Sequence, residues 1–163
     1  MKLKKQFLYA ENFAKASLND IFTEQKLKSS LLLTADYFQN AIFINNGNLS
    51  FEAKALPWQS QLSPLKNAII IDANGDNLPD ILTGGNFYDN NIEMGRYDAD
   101  YGMLLINQGN NKFSCSQLNG VVEKGQTRHI KEILVNNKPA YILAKNNDSS
   151  RIIEFYKQPI LKK

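Results

Sequence analysis

Cysteine, histidine and long apolar runs are scarce in this 163-residue chain. With Cys115 as its single cysteine, the chain has neither a disulfide framework nor a thiolate metal cluster. His129 is the single histidine, and no Gly-x-Ser-x-Gly elbow is present, so the sequence offers no recognisable catalytic triad. No apolar run approaches the roughly 20 residues of a transmembrane helix, so no membrane span is expected. MKLKK at the start is followed by no uninterrupted apolar stretch, and no signal peptide is predicted in this chain.

The net charge of +3 conceals an uneven distribution. Residues 67–105 contain Arg96 as their only basic side chain, and seven acidic side chains: Asp72, Asp76, Asp80, Asp89, Glu93, Asp98 and Asp100. The basic residues of the remainder are scattered and concentrated at the two tails. Because a nucleic-acid-binding surface needs basic residues in one stripe with interleaved aromatic residues, no nucleic-acid partner is expected.

Residues 1–30 are predicted to form a helical segment. Apolar residues recur there at helical spacing, with Ser17 and Asp20 placed as a capping box and Thr23 placed to cap a further short helix. The pattern predicts two or three short helices, and we expect their apolar stripe to pack in a core.

From residue 31 to 163 the pattern changes to ten short apolar runs, separated by turns rich in asparagine and glycine. The first run is LLLTA at 31–35 and the last is RIIEFY at 151–156. Such runs without a long helix between them predict an antiparallel, mostly β fold. Trp58 lies in a connection, where we expect it to pack between sheets; exposure in a binding face is the alternative.

The sequence also contains an internal repeat. INNGNLSF at 44–51 matches INQGNNKFS at 106–114, and IIIDANGDNLPDIL at 69–82 matches ILVNNKPAYIL at 133–143. Both pairs are separated by about 60 residues, the length of a four-stranded β-propeller blade. The pattern predicts a partial blade at 31–60, a full blade at 66–120 and a partial blade at 127–158.

The loop DANGDNLPD, residues 72–80, has the ligand spacing of a calcium site. Oxygen-bearing groups fall at positions 1, 3, 5, 7 and 9: the side chains of Asp72, Asn74, Asp76 and Asp80, and the carbonyl of Leu78. Hard oxygen ligands of this kind suit Ca²⁺. An EF-hand or dockerin-like loop would need a carboxylate at position 12, where Thr83 stands. A metal-free asparagine-rich turn is the alternative.

The position 9 carboxylate followed by a strand resembles the calcium loop of FG-GAP or VCBS repeats, the blades of integrin-like β-propellers. Residues 7–157 look like the C-terminal portion of bacterial proteins of this kind, of the ASPIC/UnbV-associated type, in FAKASLNDIF, the 72–80 loop, GGNFYDNNIEMGRYDADYG and GQTRHIKEI. The resemblance implies a secreted or cell-envelope adhesion protein with further blades. Those remaining blades, or self-association, would cover the faces of the first and last blades that have no neighbour in this chain.

The connection at 86–102 is the second candidate site. It places three tyrosines among charged side chains, a mixture able to bind a carbohydrate or a protein ligand: Tyr88, Glu93, Arg96, Tyr97, Asp98, Asp100 and Tyr101. Pairing of Arg96 with a neighbouring aspartate, to hold the loop rigid, is the structural alternative. Two functions follow from the sequence: a noncatalytic calcium-binding module, or a carbohydrate-active hydrolase that uses carboxylates at 93–100.

Overall fold

The computed structural model describes residues 5–155, which form a mostly β protein with antiparallel sheets and a few short helices. The chain divides into two compact units between Phe38 and Gln39. Within the described range, no helix has the length and apolar character to cross a membrane.

Between residues 7 and 38 the structure describes three short helices: α1 (Ala10–Lys15), α2 (Leu18–Ile21) and α3 (Glu24–Ser29). The predicted capping box is confirmed, because the Asp20 carboxylate accepts from both the backbone N–H and the hydroxyl of Ser17, at 2.8 and 2.7 Å. This pairing lowers the pKa of Asp20. The expectation of a packed apolar stripe is wrong, since none of the three helices contains a buried residue. Each is too short to bury a continuous face.

The part of the second unit that the structure describes, up to residue 155, contains nine strands: β1 (Ala41–Gly47), β2 (Ser50–Ala55), β3 (Leu65–Ile71), β4 (Asp80–Gly85), β5 (Met103–Asn107), β6 (Phe113–Gln117), β7 (Thr127–Val135), β8 (Lys138–Lys145) and β9 (Arg151–Ile153). They form three antiparallel sheets in chain order: the β1–β2 hairpin, the four-stranded sheet β3–β6 and the three-stranded sheet β7–β9. Every strand pairs with its sequence neighbour, so each sheet is a simple meander. The expected antiparallel, mostly β fold is confirmed, and the four-stranded sheet runs from Leu65 to Gln117.

Asparagine supplies most of the tight turns between these strands. Nine non-glycine residues of the described range have a positive φ, and eight of them are asparagine. Left-handed backbone is least costly for glycine and asparagine, because an asparagine side chain can hydrogen-bond locally. The asparagine clusters therefore mark where strands reverse.

The main core lies between the four-stranded and the three-stranded sheet. Ile71, Leu82 and Leu104 pack from the first sheet against residues of the second: Ile130, Tyr141, Leu143 and Ile153. Leu82 and Leu143 are fully buried. The two sheets also meet through Asn67 on β3, whose side-chain oxygen accepts from the Ile130 N–H at 2.9 Å and whose amide lies 3.3 Å from His129 Nδ1.

Two expectations from the sequence fail, one for residues 31–35 of the N-terminal unit and one for Trp58 of the second unit. LLLTA is not a strand, and Leu31, Leu32 and Leu33 are at least 80% exposed, because no neighbouring strand pairs with the segment. Trp58 begins a short 3₁₀ turn (Trp58–Gln61) and is 69% exposed, so it does not pack between sheets. Cys115 is half-buried in β6, and burial raises the pKa of its thiol.

Candidate functional site: an acidic turn and a polar cleft

The acidic loop joins β3 to β4. Ile71 and Asp80 pair across its base, and Gly75 and Asn77 have φ values of 83° and 65°. These two left-handed residues curl the backbone, so that the loop reverses direction between its ends.

Side chains of the loop bond to its own backbone. Asp72 Oδ1 accepts from the Gly75 N–H at 2.7 Å, and Asp76 Oδ1 accepts from the Leu78 N–H at 2.8 Å. Asn74 is paired with Asp76 twice: its amide donates to Asp76 Oδ2 at 2.8 Å, and its oxygen accepts from the Asp76 N–H at 3.0 Å. The turn is therefore closed by its own polar groups.

Asp80 fixes the loop to the sheet. Its side chain is fully buried, its Oδ2 accepts from the Ala73 N–H at 3.0 Å, and its Oδ1 accepts from the Asn107 N–H at 2.8 Å. The carboxylate thus joins the start of the loop, the start of β4 and the end of β5.

The loop fits a calcium ion in its donor chemistry and its backbone turn. All five predicted groups supply hard oxygens, and Asp80 is already held in place. Between residues 5 and 155, however, no three acidic, histidine or cysteine side chains converge as a metal cluster. Binding would therefore require Asn74 and Asp76 to give up part of their mutual hydrogen bonding.

The 86–102 connection is organised by a short antiparallel bridge. Phe87 and Tyr97 exchange backbone hydrogen bonds of 2.9 and 3.0 Å, which brings the two ends of the loop together. Glu93 lies on an exposed 3₁₀ turn (Ile92–Met94). Tyr101 is about half exposed, and its carbonyl accepts from the Glu123 N–H.

Asn86 holds the base of this connection. It is fully buried in a left-handed conformation, with a φ of 74°. Its oxygen accepts from the Ser63 hydroxyl at 2.7 Å and from the Asp100 N–H at 2.9 Å. Its amide donates to the carbonyls of Asp100 and Gly125 at 2.8 and 2.9 Å, and more weakly to Asp98 at 3.3 Å. One side chain therefore ties the loop to two other connections.

Asp100 is buried beside Asn86, and burial raises the pKa of its carboxyl, with the nearby Glu123 adding to the effect. The backbone N–H groups of Gly85 and Gly102 oppose that rise in pKa by hydrogen bonding. Of the three carboxylates proposed for hydrolysis, Asp100 is therefore buried in the base of the loop, Asp98 is bonded to Tyr88 and Asn86, and Glu93 points from the exposed turn.

Tyr88, Arg96 and Asp98 form the organised part of the loop. The Tyr88 hydroxyl donates to Asp98, and burial together with this bond raises the pKa of Tyr88 to about 12. The Arg96 guanidinium lies over the Tyr88 ring, 4.8 Å from its centroid. Arg96 therefore stacks on an aromatic ring, as arginine does readily, and in the described residues it forms no ion pair with an aspartate.

A polar cleft of about 320 Å³ opens beside this group. One wall comes from the 86–102 connection, with Tyr88, Asp89 and Arg96. The other comes from Gly125 and from the turn that joins β8 to β9: Asn146, Asn147 and Asp148. Asp89 is paired with Arg128 of β7 at 2.5 Å, which joins the two walls.

Sequence reasoning found only one wall of this cleft. Nothing in the local sequence of the β8–β9 turn indicates that Asn146 or Asp148 lies beside Tyr88. The 60-residue repeat was the only available signal, because it puts the turn on the sheet that follows the 86–102 connection.

A buried ion pair lies behind the cleft. Glu123 and Lys145 are in contact with each other, and both side chains are 2% exposed. Arg151 adds a longer contact to Glu123 at 3.5 Å, and the Lys145 ammonium donates to the Lys124 carbonyl at 2.6 Å. Nearby, Gln126 accepts from Asn146 at 3.0 Å, while its own buried amide nitrogen has no hydrogen-bond partner.

Comparison with known proteins returned no matching family model, no matching curated protein and no matching solved structure.

Proposed function

We propose that the chain is a noncatalytic repeat module of the FG-GAP/VCBS propeller type. In this proposal the 72–80 loop binds calcium, and the cleft between Tyr88 and Asp148 binds a ligand. The observation that carries the proposal is the order of the sheets: a hairpin, a four-stranded meander and a three-stranded meander follow one another along the chain. The β7–β9 sheet packs face to face on its predecessor, as consecutive propeller blades do.

The first strands of the two larger sheets support the same arrangement. Asn67 on β3 bonds to the Ile130 N–H on β7, so these strands lie side by side. In a propeller, the first strand of each blade lines the central axis beside the first strand of the next blade. The turns that join successive strands of a sheet would then lie alternately at the two opposite ends of the propeller.

Calcium is proposed to stabilise the β3–β4 turn. Asp72, Asn74, Asp76, Asp80 and the carbonyl of Leu78 would hold the ion, which supplies positive charge among three carboxylates. Asp80 also bonds to the N–H of Asn107, so a bound ion would stabilise the third strand of the sheet as well as the turn.

A thermal melt with and without calcium tests this site. Dissociation constants of about 10⁻⁴ to 10⁻³ M would give a stabilisation on the order of 1 kcal/mol at millimolar calcium. We expect calcium to raise the melting temperature of the wild type but not that of Asp76→Ala, and magnesium to act poorly. Asp89→Ala is the matched control, since Asp89 lies outside the loop and should leave the response intact. An equal shift in Asp76→Ala would show that the loop is only a polar turn.

The cleft is proposed to bind a carbohydrate or a protein segment, with carbohydrate favoured. Its lining groups are amides, carboxylates, one guanidinium and one aromatic ring, a polar set that can hydrogen-bond to several hydroxyls. Arg96 has no ion-pair partner among the described residues and leaves its guanidinium available to a ligand. The ligand would therefore contact Tyr88 and Arg96, whose positions are set by the hydrogen bond from Tyr88 to Asp98 and by the stacking of Arg96 on the Tyr88 ring.

Screening on a glycan array tests the cleft. We expect Arg96→Ala to lose binding at least tenfold, and Glu93→Ala, a charge removal on the same connection but outside the cleft, to retain it. Equal binding by both variants would contradict the assignment.

The proposed absence of catalysis is tested with a panel of chromogenic glycosides. We expect no turnover by the wild type. Turnover that disappears in Glu93→Gln, Asp98→Asn or Asp100→Asn would overturn the noncatalytic assignment and favour a hydrolase.

A further inference from the structure

Three asparagine–glycine pairs occur in the chain: Asn46–Gly47, Asn74–Gly75 and Asn119–Gly120. This dipeptide is especially prone to spontaneous deamidation, because glycine has no Cβ to keep its backbone nitrogen away from the preceding side chain. The three glycines have almost the same conformation, with φ values of 83°, 83° and 79°. The pairs are therefore alike in local chemistry and differ in the hydrogen bonds around them.

Deamidation begins at the backbone nitrogen of the glycine. This nitrogen attacks Cγ of the asparagine, the new C–N bond closes a succinimide ring, and the C–Nδ2 bond breaks. The proton of the glycine N–H leaves with the amide nitrogen as ammonia, and water then opens the ring to aspartate or isoaspartate. A hydrogen bond that holds the glycine N–H or the asparagine amide must break first. One such bond slows the step about tenfold, and a bond to a carboxylate slows it more.

The Asn74–Gly75 pair is held at both reacting groups. The Gly75 N–H donates to Asp72 Oδ1 at 2.7 Å, and this carboxylate also opposes loss of the proton, because negative charge would develop beside it. The Asn74 amide donates to Asp76 Oδ2 at 2.8 Å, and its oxygen accepts from the Asp76 N–H at 3.0 Å. Ring closure at Asn74 therefore requires three hydrogen bonds to break.

The Asn46–Gly47 pair is held at one reacting group. The Gly47 N–H donates to the side-chain oxygen of Asn45 at 2.9 Å. The Asn46 side chain has no hydrogen-bond partner among residues 5–155. Ring closure here requires one bond to a neutral acceptor to break, so this pair is intermediate.

The Asn119–Gly120 pair is held at neither reacting group. Both residues are exposed in a turn that the Val121 N–H closes by donating to the Leu118 carbonyl at 2.8 Å. The φ of 79° at Gly120 is that of the third residue of a type II turn, whose N–H is not used by the turn's own hydrogen bond. In the described part of the chain, neither this N–H nor the Asn119 amide has a hydrogen-bond partner.

We propose that Asn119 is a site of spontaneous deamidation, whereas hydrogen bonds within the 72–80 loop keep Asn74 intact. The modification replaces a neutral amide by a carboxylate. Isoaspartate also adds an atom to the backbone of the turn, which disturbs the bond from Val121 to Leu118. The connection from β6 to β7 would loosen as a result, and this connection carries Gly125, which lines the polar cleft.

Peptide mapping by mass spectrometry of the full chain, aged in mildly alkaline buffer, measures the rate at each pair. EDTA is present throughout, so that the outcome does not depend on the proposed calcium site. We expect Asn119 to deamidate at least about tenfold faster than Asn46, and Asn46 faster than Asn74. The same measurement in urea removes the hydrogen bonds, and the three rates should become similar. Similar rates in the folded chain, or the same order in urea, would overturn the proposal.

Three variants separate the site from its protection. Asp72→Ala removes the acceptor of the Gly75 N–H and should raise the rate at Asn74 about tenfold, with the rate at Asn119 unchanged. Asn119→Gln should remove the main product, and Asn19→Gln, at an exposed asparagine that no glycine follows, should leave it. An unchanged rate at Asn74 in Asp72→Ala would contradict the protection. The comparison with urea needs no variant, so it decides the case even if Asp72→Ala does not fold.

Discussion

Replacing Asn86 by alanine tests whether one buried amide holds the 86–102 connection in place. The Asn86 side chain makes four hydrogen bonds to buried or partly buried groups: the Ser63 hydroxyl, the Asp100 N–H, the Asp100 carbonyl and the Gly125 carbonyl. Loss of each of these bonds costs about 1 kcal/mol, or about 4 kcal/mol together. Alanine at a φ of 74° adds about 1 kcal/mol of backbone strain. We therefore expect Asn86→Ala to lose about 5 kcal/mol, a large part of the 5–15 kcal/mol typical of a domain.

Two matched variants separate the hydrogen-bond loss from the backbone strain. Asn86→Gly removes the same four hydrogen bonds without the strain, so it should lose about 4 kcal/mol. Asn110→Ala introduces alanine at a φ of 51° in an exposed hairpin turn, where the asparagine side chain has no described partner, and should lose only about 1 kcal/mol. Urea denaturation followed by circular dichroism gives all three values. If Asn86→Ala lost no more than Asn110→Ala, the amide would not be holding the connection.

Three further predictions test the surroundings of the site. Lowering the pH from 7 to 4 should raise the free energy of unfolding of the wild type relative to that of Asp100→Asn. The reason is that the pKa of Asp100 is raised in the folded state, so the folded chain takes up a proton before the unfolded chain does. A difference in stability that is independent of pH would contradict the effect of burial. Lys145→Met should destabilise the chain by about 3 kcal/mol or more, because it leaves the buried Glu123 carboxylate without its partner. Adding Glu123→Gln should recover part of that loss by removing the unpaired charge. A double variant less stable than Lys145→Met in urea denaturation would refute the pairing. Gly85→Ala should lower the melting temperature more than Gly84→Ala. A Cβ at position 85 would lie 2.3 Å from the backbone carbonyl oxygen of Pro64, whereas a Cβ at position 84 would mainly meet the side chain of Thr127, at 2.6 Å. Equal melting temperatures would show that the backbone at Pro64 shifts to make room.

The strands and turns of the second unit were largely predictable from the sequence, because they depend on local chemistry. A left-handed asparagine or glycine reverses the chain wherever it stands, as at Gly47, Asn77 and Gly109. Antiparallel neighbours joined by short turns then pair in chain order, so the four-stranded sheet follows from the spacing of its turns. The capping box of Ser17 and Asp20 was readable for the same reason: its two members are three residues apart.

Predictions from apolar segments were wrong where the burial of the segment depends on a distant part of the chain. Leu31, Leu32 and Leu33 have the composition of a strand, yet a strand requires another chain segment to satisfy its backbone groups, and composition does not supply that segment. The predictions that the apolar stripe of the N-terminal helices and Trp58 would be buried were wrong for the same reason, since burial depends on what lies opposite a side chain.

The sequence by itself thus determined the strand order, the turn positions and the donor chemistry of the 72–80 loop. The tertiary structure alone decided which sheet faces are covered, that Arg96 stacks on Tyr88, and that Asp148 stands across a cleft from both. Asp148 is 52 positions from Arg96 and 60 from Tyr88 along the chain, and the distance between them across the cleft is set by the packing of one sheet on the next. No local pattern of residues encodes that packing, because the same alternation of apolar side chains serves a covered face and an open one.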